Sequence, residues 1–250
     1  DPDSSRDLID EVSARWAEDC LVGSNSILWG EAKKLWTEAN LRDFQERFLG
    51  NPMLGTELDF SGKIALQLQD ASEDVKWLAC ELILVYLLFA RRSIEGPAKR
   101  ALLAKSVEPM DVTSAPNWQK ISDTMDEGIG NPGVGYNIHR DRQIGYLIDF
   151  SLRFKAIGGT DERRAILADP WRLRDFADDA SEDIQVREMR HVLLHLLRPD
   201  EFERMSSQTH KQNIVRAFES DLFGDEAGPE DLDERILRIR EALESLDAQP

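Results

Sequence analysis

A chain of 250 residues with 41% apolar and 32% charged side chains carries enough Leu, Ile, Val and Phe to bury a sizeable core, which excludes general disorder. Its formal net charge of −17 excludes a protein whose whole surface tracks a nucleic-acid backbone, because that binding draws its affinity from neutralised phosphates. Cys20 and Cys80 are too few for a disulfide scaffold and lack zinc-site spacing, while the longest apolar run, Trp77 to Ala90, is too short for a bilayer and contains Glu81, so a cytoplasmic protein with no membrane partner is expected.

Helical periodicity runs from end to end. Arg6 to Cys20 places Leu8, Ile9, Val12 and Trp16 on one face, and a loop from Gly23 to Gly30 follows. Asn40 is a candidate N-cap for Leu41 to Leu49, and Leu58 to Asp70 is a further helix weakened by Gly62. Ser72 caps Glu73 to Arg91, whose apolar residues surround much of the cylinder and predict the central helix. Pro97 opens Ala98 to Val107, and Trp118 to Glu127 is a short helix before a glycine-rich loop. Ile144 to Ile157, Asp161 to Ala168, Trp171 to Asp179 after Asp169-Pro170, Glu182 to Leu197 capped by Ser181, and Gln208 to Asp221 continue the series.

The last helix, Glu230 to Leu246, spaces Leu232, Ile236, Ile239, Leu243 and Leu246 in a heptad-like seam. Two readings stand for it: packing on its own domain, or a lead into another domain or a partner. The stretch 219–250 holds eleven acids against Arg235, Arg238 and Arg240, a net −8, whereas 140–155 sets Arg140, Arg142, Arg153 and Lys155 against Asp141 and Asp149, a net +2. The expected fold class is all-α, a compact domain of about nine to eleven helices with no substantial sheet. Residues 1–228 form the helical module, with 1–127 and 128–228 as candidate lobes, and 229–250 the acidic C-terminal helix.

Gly128-Ile-Gly130-Asn131-Pro132-Gly133 satisfies the glycine pattern of a dinucleotide loop. Its context contradicts that chemistry, because Ser122 to Glu127 is helix-like where a strand should stand and Pro132 removes an amide that a phosphate would use. Two readings of the loop remain open. In one, the glycines make tight turns, Tyr136 packs back and Asn137 caps the following helix. In the other, Tyr136 offers a stacking face, Asn131, Asn137 and Gln143 offer amides, and Arg140 or Arg142 reaches a phosphate or carboxylate.

Glu188, His191 and His195 fall within about sixty degrees on a helical wheel, a spacing from which a metal can be held. The order H-E-x-x-H is absent, however, since Val192 follows His191, and boundary histidines bonded to neighbours are the better expectation. Pro199-Asp200-Glu201-Phe202-Glu203-Arg204 places its carboxylates between helices instead of on strands, which argues against a nuclease core and for a turn with Phe202 packed beneath. No P-loop and no G-x-S-x-G elbow occurs, so no catalytic residue, metal or cofactor is assigned.

Asn131-Pro132-Gly133-x-x-Tyr136-Asn137-x-x-Arg140-x-x-Gln143-x-x-Tyr146-Leu147-Ile148-x-Phe150 occurs together with Arg187-Glu188-x-x-x-x-Leu193-Leu194-His195-Leu196-Leu197-x-Pro199-Asp200-x-Phe202-Glu203 and His210-Lys211-x-x-Ile214-Val215-x-x-Phe218. This combination resembles the helical region ahead of the motor in McrB-like AAA+ ATPases of bacterial modification-dependent restriction and anti-phage defence systems. Trp16-Ala17-x-Asp19-Cys20-Leu21 and Ser72-x-Asp74-Val75-Lys76-x-Leu78-Ala79-x-Glu81-Leu82 fit the same resemblance, which so extends over most of the chain. Arg198, before Pro199-Asp200, departs from the aromatic or apolar residue expected there. The resemblance implies a non-catalytic N-terminal module for recognition or regulation, with a P-loop motor in the same chain or a partner subunit, a separate nuclease subunit, and DNA as a candidate ligand of the Gly128–Gln143 loop. Protein–protein assembly without nucleic-acid binding is the alternative.

Overall fold

The computed structural model describes residues 2–50, 58–180, 187–226 and 228–248. Among these, thirteen α-helices and no strand are found, a count above the expected nine to eleven. The excess comes partly from a helix of five residues, Val134–Ile138, too short to leave a periodic trace in the sequence.

Helix α1 (Pro2–Arg15) widens directly into a π-helical turn, Trp16–Gly23. Its last carbonyls are gathered by cations from later in the chain: Lys155 Nζ donates to the Cys20 and Gly23 oxygens, and Arg163 Nη1 donates to Val22 O at 3.0 Å. A helix end buried without such donors would leave its orphan carbonyls unsatisfied. Burial pushes the Lys155 ammonium down to about 7, and the Arg163 charge adds to that effect.

Helix α2 (Glu38–Phe48) begins earlier than expected, because Thr37 and not Asn40 is its cap: Thr37 Oγ1 accepts from Asn40 N at 3.2 Å. The Asn40 amide instead donates to Leu35 O at 3.0 Å. Helix α3 (Phe60–Gln67) is capped by Asp59, and α4 (Glu73–Leu88) by Ser72 as the sequence indicates. From Val75 through Leu88, every residue of α4 except Lys76 is buried, consistent with an axle apolar on all sides. Helices α2, α5 (Gly96–Ser106), α6 (Trp118–Met125) and α8 (Arg140–Lys155) pack around it.

Glu81 sits inside this axle, fully buried. Its carboxylate accepts from Ile27 N at 3.0 Å, Leu28 N at 2.9 Å, Trp36 Nε1 at 2.6 Å and the Ser26 hydroxyl. Burial pushes the carboxyl upward and these donors pull it back. Burial outweighs them, and the carboxyl lies above its ordinary value. A buried charge without such partners would cost many kcal/mol, so Glu81 is the peg that fixes the Ser26–Trp36 segment against α4.

The second half follows with α7 (Val134–Ile138), α9 (Thr160–Ala168), α10 (Pro170–Asp179), α11 (Arg187–Leu197), α12 (Gln208–Phe223) and α13 (Leu232–Asp247). Asp169 caps α10 through Trp171 N and Arg172 N at 3.0 and 3.1 Å. Ser181, the expected cap of α11, lies outside the described residues. The main core cluster runs from Ile9 to Phe202, while Val215, Ile236 and Ile239 make a smaller one between α12 and α13. Ile236 and Ile239 of the heptad-like seam are thus packed at home, but Leu243 and Leu246 are exposed on the last turns.

A buried ionic cluster fastens α12 and α13 to α11. Arg190 donates to Asp233 Oδ2 at 2.8 Å, Lys211 Nζ donates to Asp233 Oδ1, and both cations reach His191 Nδ1, at 3.0 and 3.2 Å. Two donors on Nδ1 place the imidazole proton on Nε2. Burial pushes the Asp233 carboxyl up, but Lys211 and Arg190 hold it down at about 2.

Candidate functional site

The glycine-rich loop is stitched to the C-terminal end of α4. Ile129 N and Gly130 N both donate to Phe89 O, at 2.9 and 3.0 Å, and Arg91 N donates to Gly130 O at 3.0 Å, making an isolated parallel bridge between Ala90 and Gly130. Gly128 is required by this approach: a Cβ there would lie 2.5 Å from both Ala90 O and Arg91 Cα. Gly133, at φ 91°, then turns the chain into α7, and Asn131 Oδ1 steadies the turn by accepting from Gly133 N at 3.0 Å. Ser206 Oγ donates to Pro132 O at 3.1 Å, tying the loop to the segment before α12.

Tyr136 locks the short helix. Its ring stacks on Tyr86, it has no exposed surface, and its hydroxyl donates to Tyr86 O at 2.8 Å. Tyr86 Oη in turn lies 3.2 Å from Tyr136 O and from Asn137 Oδ1. Asn137 therefore serves this lock and is not the cap of α8, whose N-cap position is His139, with no side-chain cap bond. Burial pushes the Tyr86 phenol up to about 12, against the lowering influence of Arg140.

The six residues marked from sequence separate into two groups. Tyr136 and Gln143 are buried, the latter at 2% exposure, with Gln143 Oε1 accepting from Met189 N at 2.9 Å and Nε2 donating to Glu188 Oε2 at 3.3 Å. Their polar groups are engaged within the fold. Asn137 and Arg140 are half-buried, the Arg140 guanidinium lying 5.7 Å from the centre of the Phe60 ring. Asn131 and Arg142 are exposed. Between them α7 carries two side chains that periodicity did not mark as surface, Val134 at 74% and Ile138 at 66% exposure.

Beside the loop lies an open depression of about 480 Å³. Asn131 to Gly133 and Gly135 form one wall, Arg204 to His210 the other, and Glu188 contributes a carboxylate. The same place gathers arginines distant in sequence. Arg91 and Arg92 follow the Ala90–Gly130 bridge, and a Cβ on Gly130 would lie 3.8 Å from Arg204 O. All three are exposed, and among the described residues none has a carboxylate partner, whereas most arginines of this acidic chain are paired. Sequence reasoning missed them because residue 204 is distant along the chain from residue 91. The one local signal was the Arg91-Arg92 pair directly after the apolar run.

Glu188, His191 and His195 do not act together. Glu188 accepts from Gln143, His191 faces Arg190 and Lys211, and His195 Nδ1 lies 2.6 Å from Phe202 O. Burial pushes the His195 imidazole down from its ordinary value. Among the described residues no group of three or more His, Cys, Asp or Glu side chains is arranged to hold a metal, and no helix is long and apolar enough to cross a membrane. Cys20 and Cys80 are buried thiols whose pKa values burial raises, Cys80 to about 12, the opposite of an activated nucleophile. The chain matches no family model, no curated protein and no solved structure.

Proposed function

We propose that this chain is a non-catalytic recognition or regulatory module of the kind that precedes the motor in McrB-like restriction and anti-phage defence ATPases, and that it contacts DNA through the face carrying the glycine-rich loop. The observation that carries the reading is the Tyr86–Tyr136 lock, which holds Asn131, Arg142 and α7 on a rigid base beside an open depression. A surface built this way recognises a partner without reorganising. Fluorescence anisotropy with labelled single-stranded, duplex and base-modified duplex DNA at low salt tests the reading. Salt-sensitive binding with a dissociation constant of about 10⁻⁴ to 10⁻⁶ M is expected. No binding to any of the three rejects the DNA contact.

A second reading, a protein-interaction module, is favoured by Val134 and Ile138, one turn apart on α7 and among the most exposed large apolar side chains described. Light scattering across a concentration series, compared with the Val134→Asp/Ile138→Asp variant, tests its self-assembly form. Identical monomers at every concentration count against it.

A further inference from the structure

We propose that Arg91, Arg92 and Arg204 form a phosphate-gripping edge that holds the sugar–phosphate backbone of a nucleic-acid strand across the mouth of the depression, reading charge and spacing instead of bases; this rests on the DNA contact proposed above. Most arginines of the chain are committed to neighbouring carboxylates, as Arg42 is to Glu38, Arg100 to Asp126 and Arg164 to Glu18. Among the described residues Arg91, Arg92 and Arg204, like the isolated Arg216 of α12, have no carboxylate partner in a chain of net charge −17. Their backbones are brought together by the Ala90–Gly130 bridge and the approach of Arg204 to Gly130. Tertiary structure therefore brings these three positions, far apart in sequence, to one edge of the loop.

The groups next to this edge suit phosphodiester chemistry. Ser207 and Thr209 bring hydroxyls and Asn131 an amide to the walls of the depression, all of them groups that bind phosphate oxygens. Among the described lining residues the one carboxylate, Glu188, already accepts from Gln143. The Tyr136 ring, covered by Tyr86, is not open to a stacked base. The hydroxyls, the amide and the arginines suit such a surface to a strand's charge. Arginine presents a planar donor fork matched to phosphate, which a scattered set of lysines would not.

The experiment measures binding of labelled single-stranded DNA of mixed sequence to the whole chain over a salt series, for the unaltered protein, Arg91→Ala/Arg92→Ala, Arg204→Ala, the triple variant and Arg216→Ala. Arg216 is an exposed residue of α12 outside the lining of the depression. Circular dichroism verifies that each variant keeps its helices. The triple variant is expected to bind at least about tenfold more weakly at low salt, with a log–log salt slope shallower by roughly one for each phosphate it no longer neutralises. The Arg216→Ala protein should match the unaltered one, and permuting the base sequence should leave affinity unchanged. DNA binding that persists at full strength in the triple variant overturns the arginine edge while leaving the DNA contact intact. Absence of DNA binding in the unaltered protein overturns both. A mononucleotide that binds as tightly as the strand overturns backbone recognition.

Discussion

The Tyr136 ring lies flat on Tyr86, centroids 4.6 Å apart and planes 8° from parallel, and the Tyr136 hydroxyl donates to the backbone carbonyl of the residue it covers. Ring packing and hydrogen bonding here are separable. Tyr136→Phe removes the hydroxyl bonds and should cost about 1 kcal/mol, whereas Tyr136→Ala opens a cavity at the base of the loop and should cost about 3–5 kcal/mol. Urea unfolding monitored by circular dichroism measures both. Equal losses would mean that the ring contributes nothing beyond its hydroxyl.

Glu81 accepts from the Ser26 hydroxyl and from the N–H groups of Ile27, Leu28 and Trp36. Glu81→Gln keeps the shape but turns one acceptor into an NH₂ group facing N–H donors, for an expected loss of about 1–3 kcal/mol or more. The damage should be local first: amides of 26–36 should lose hydrogen-exchange protection before those of α4. Uniform loss across the molecule would contradict the peg-like role of this carboxylate.

Lys155 gives a pH signature of definite sign. Its folded-state value of about 7 lies below the ordinary 10.5, so between these limits the unfolded chain binds a proton that the folded chain does not. Its contribution to stability therefore rises with pH across that window and is flat below it. Subtracting the profile of Lys155→Met from that of the unaltered protein, by urea unfolding between pH 7 and 9.5, isolates the effect from Lys99, which burial also lowers, to about 8. A difference that falls with rising pH would contradict this assignment.

Asp233 shows the acid-side counterpart. Its value of about 2 lies below the ordinary 3.8, so the stability it contributes is fully present above about pH 4 and is lost as pH falls toward 2. Asp233→Asn leaves Lys211 and Arg190 buried without their anion and should cost about 3–5 kcal/mol at neutral pH. Limited proteolysis should then cut the α12–α13 connection faster. Unchanged cleavage would mean that the apolar cluster of Val215, Ile236 and Ile239 suffices to hold α12 and α13 together.

Much of the helical order was legible because local rules acted alone: Ser72 and Asp169 cap as their sequence neighbourhoods indicate, and the apolar girth of α4 announces its burial. Errors arose where two local signals competed or a distant partner decided. Thr37 and Asn40 are both good cap residues, and the chain uses the former because the Asn40 amide is drawn to Leu35 O. Asn137 and Gln143 look like surface amides in sequence, yet one completes a tyrosine pair and the other satisfies the start of α11. Of the loop's two open readings, packing accounts for Tyr136, while Asn131 and Arg142 retain surfaces. Glu81 and the arginines at 91, 92 and 204 acquire meaning only from partners many residues away.

The seam between Gly128–Gly130 and Phe89–Arg91 has a mechanical consequence. Hydrogen bonds there join the loop to the end of the helix around which the other helices are wound. A load applied at the loop is delivered lengthwise into that axle and from there to its neighbours, so the face carrying the loop behaves as a handle on the whole core.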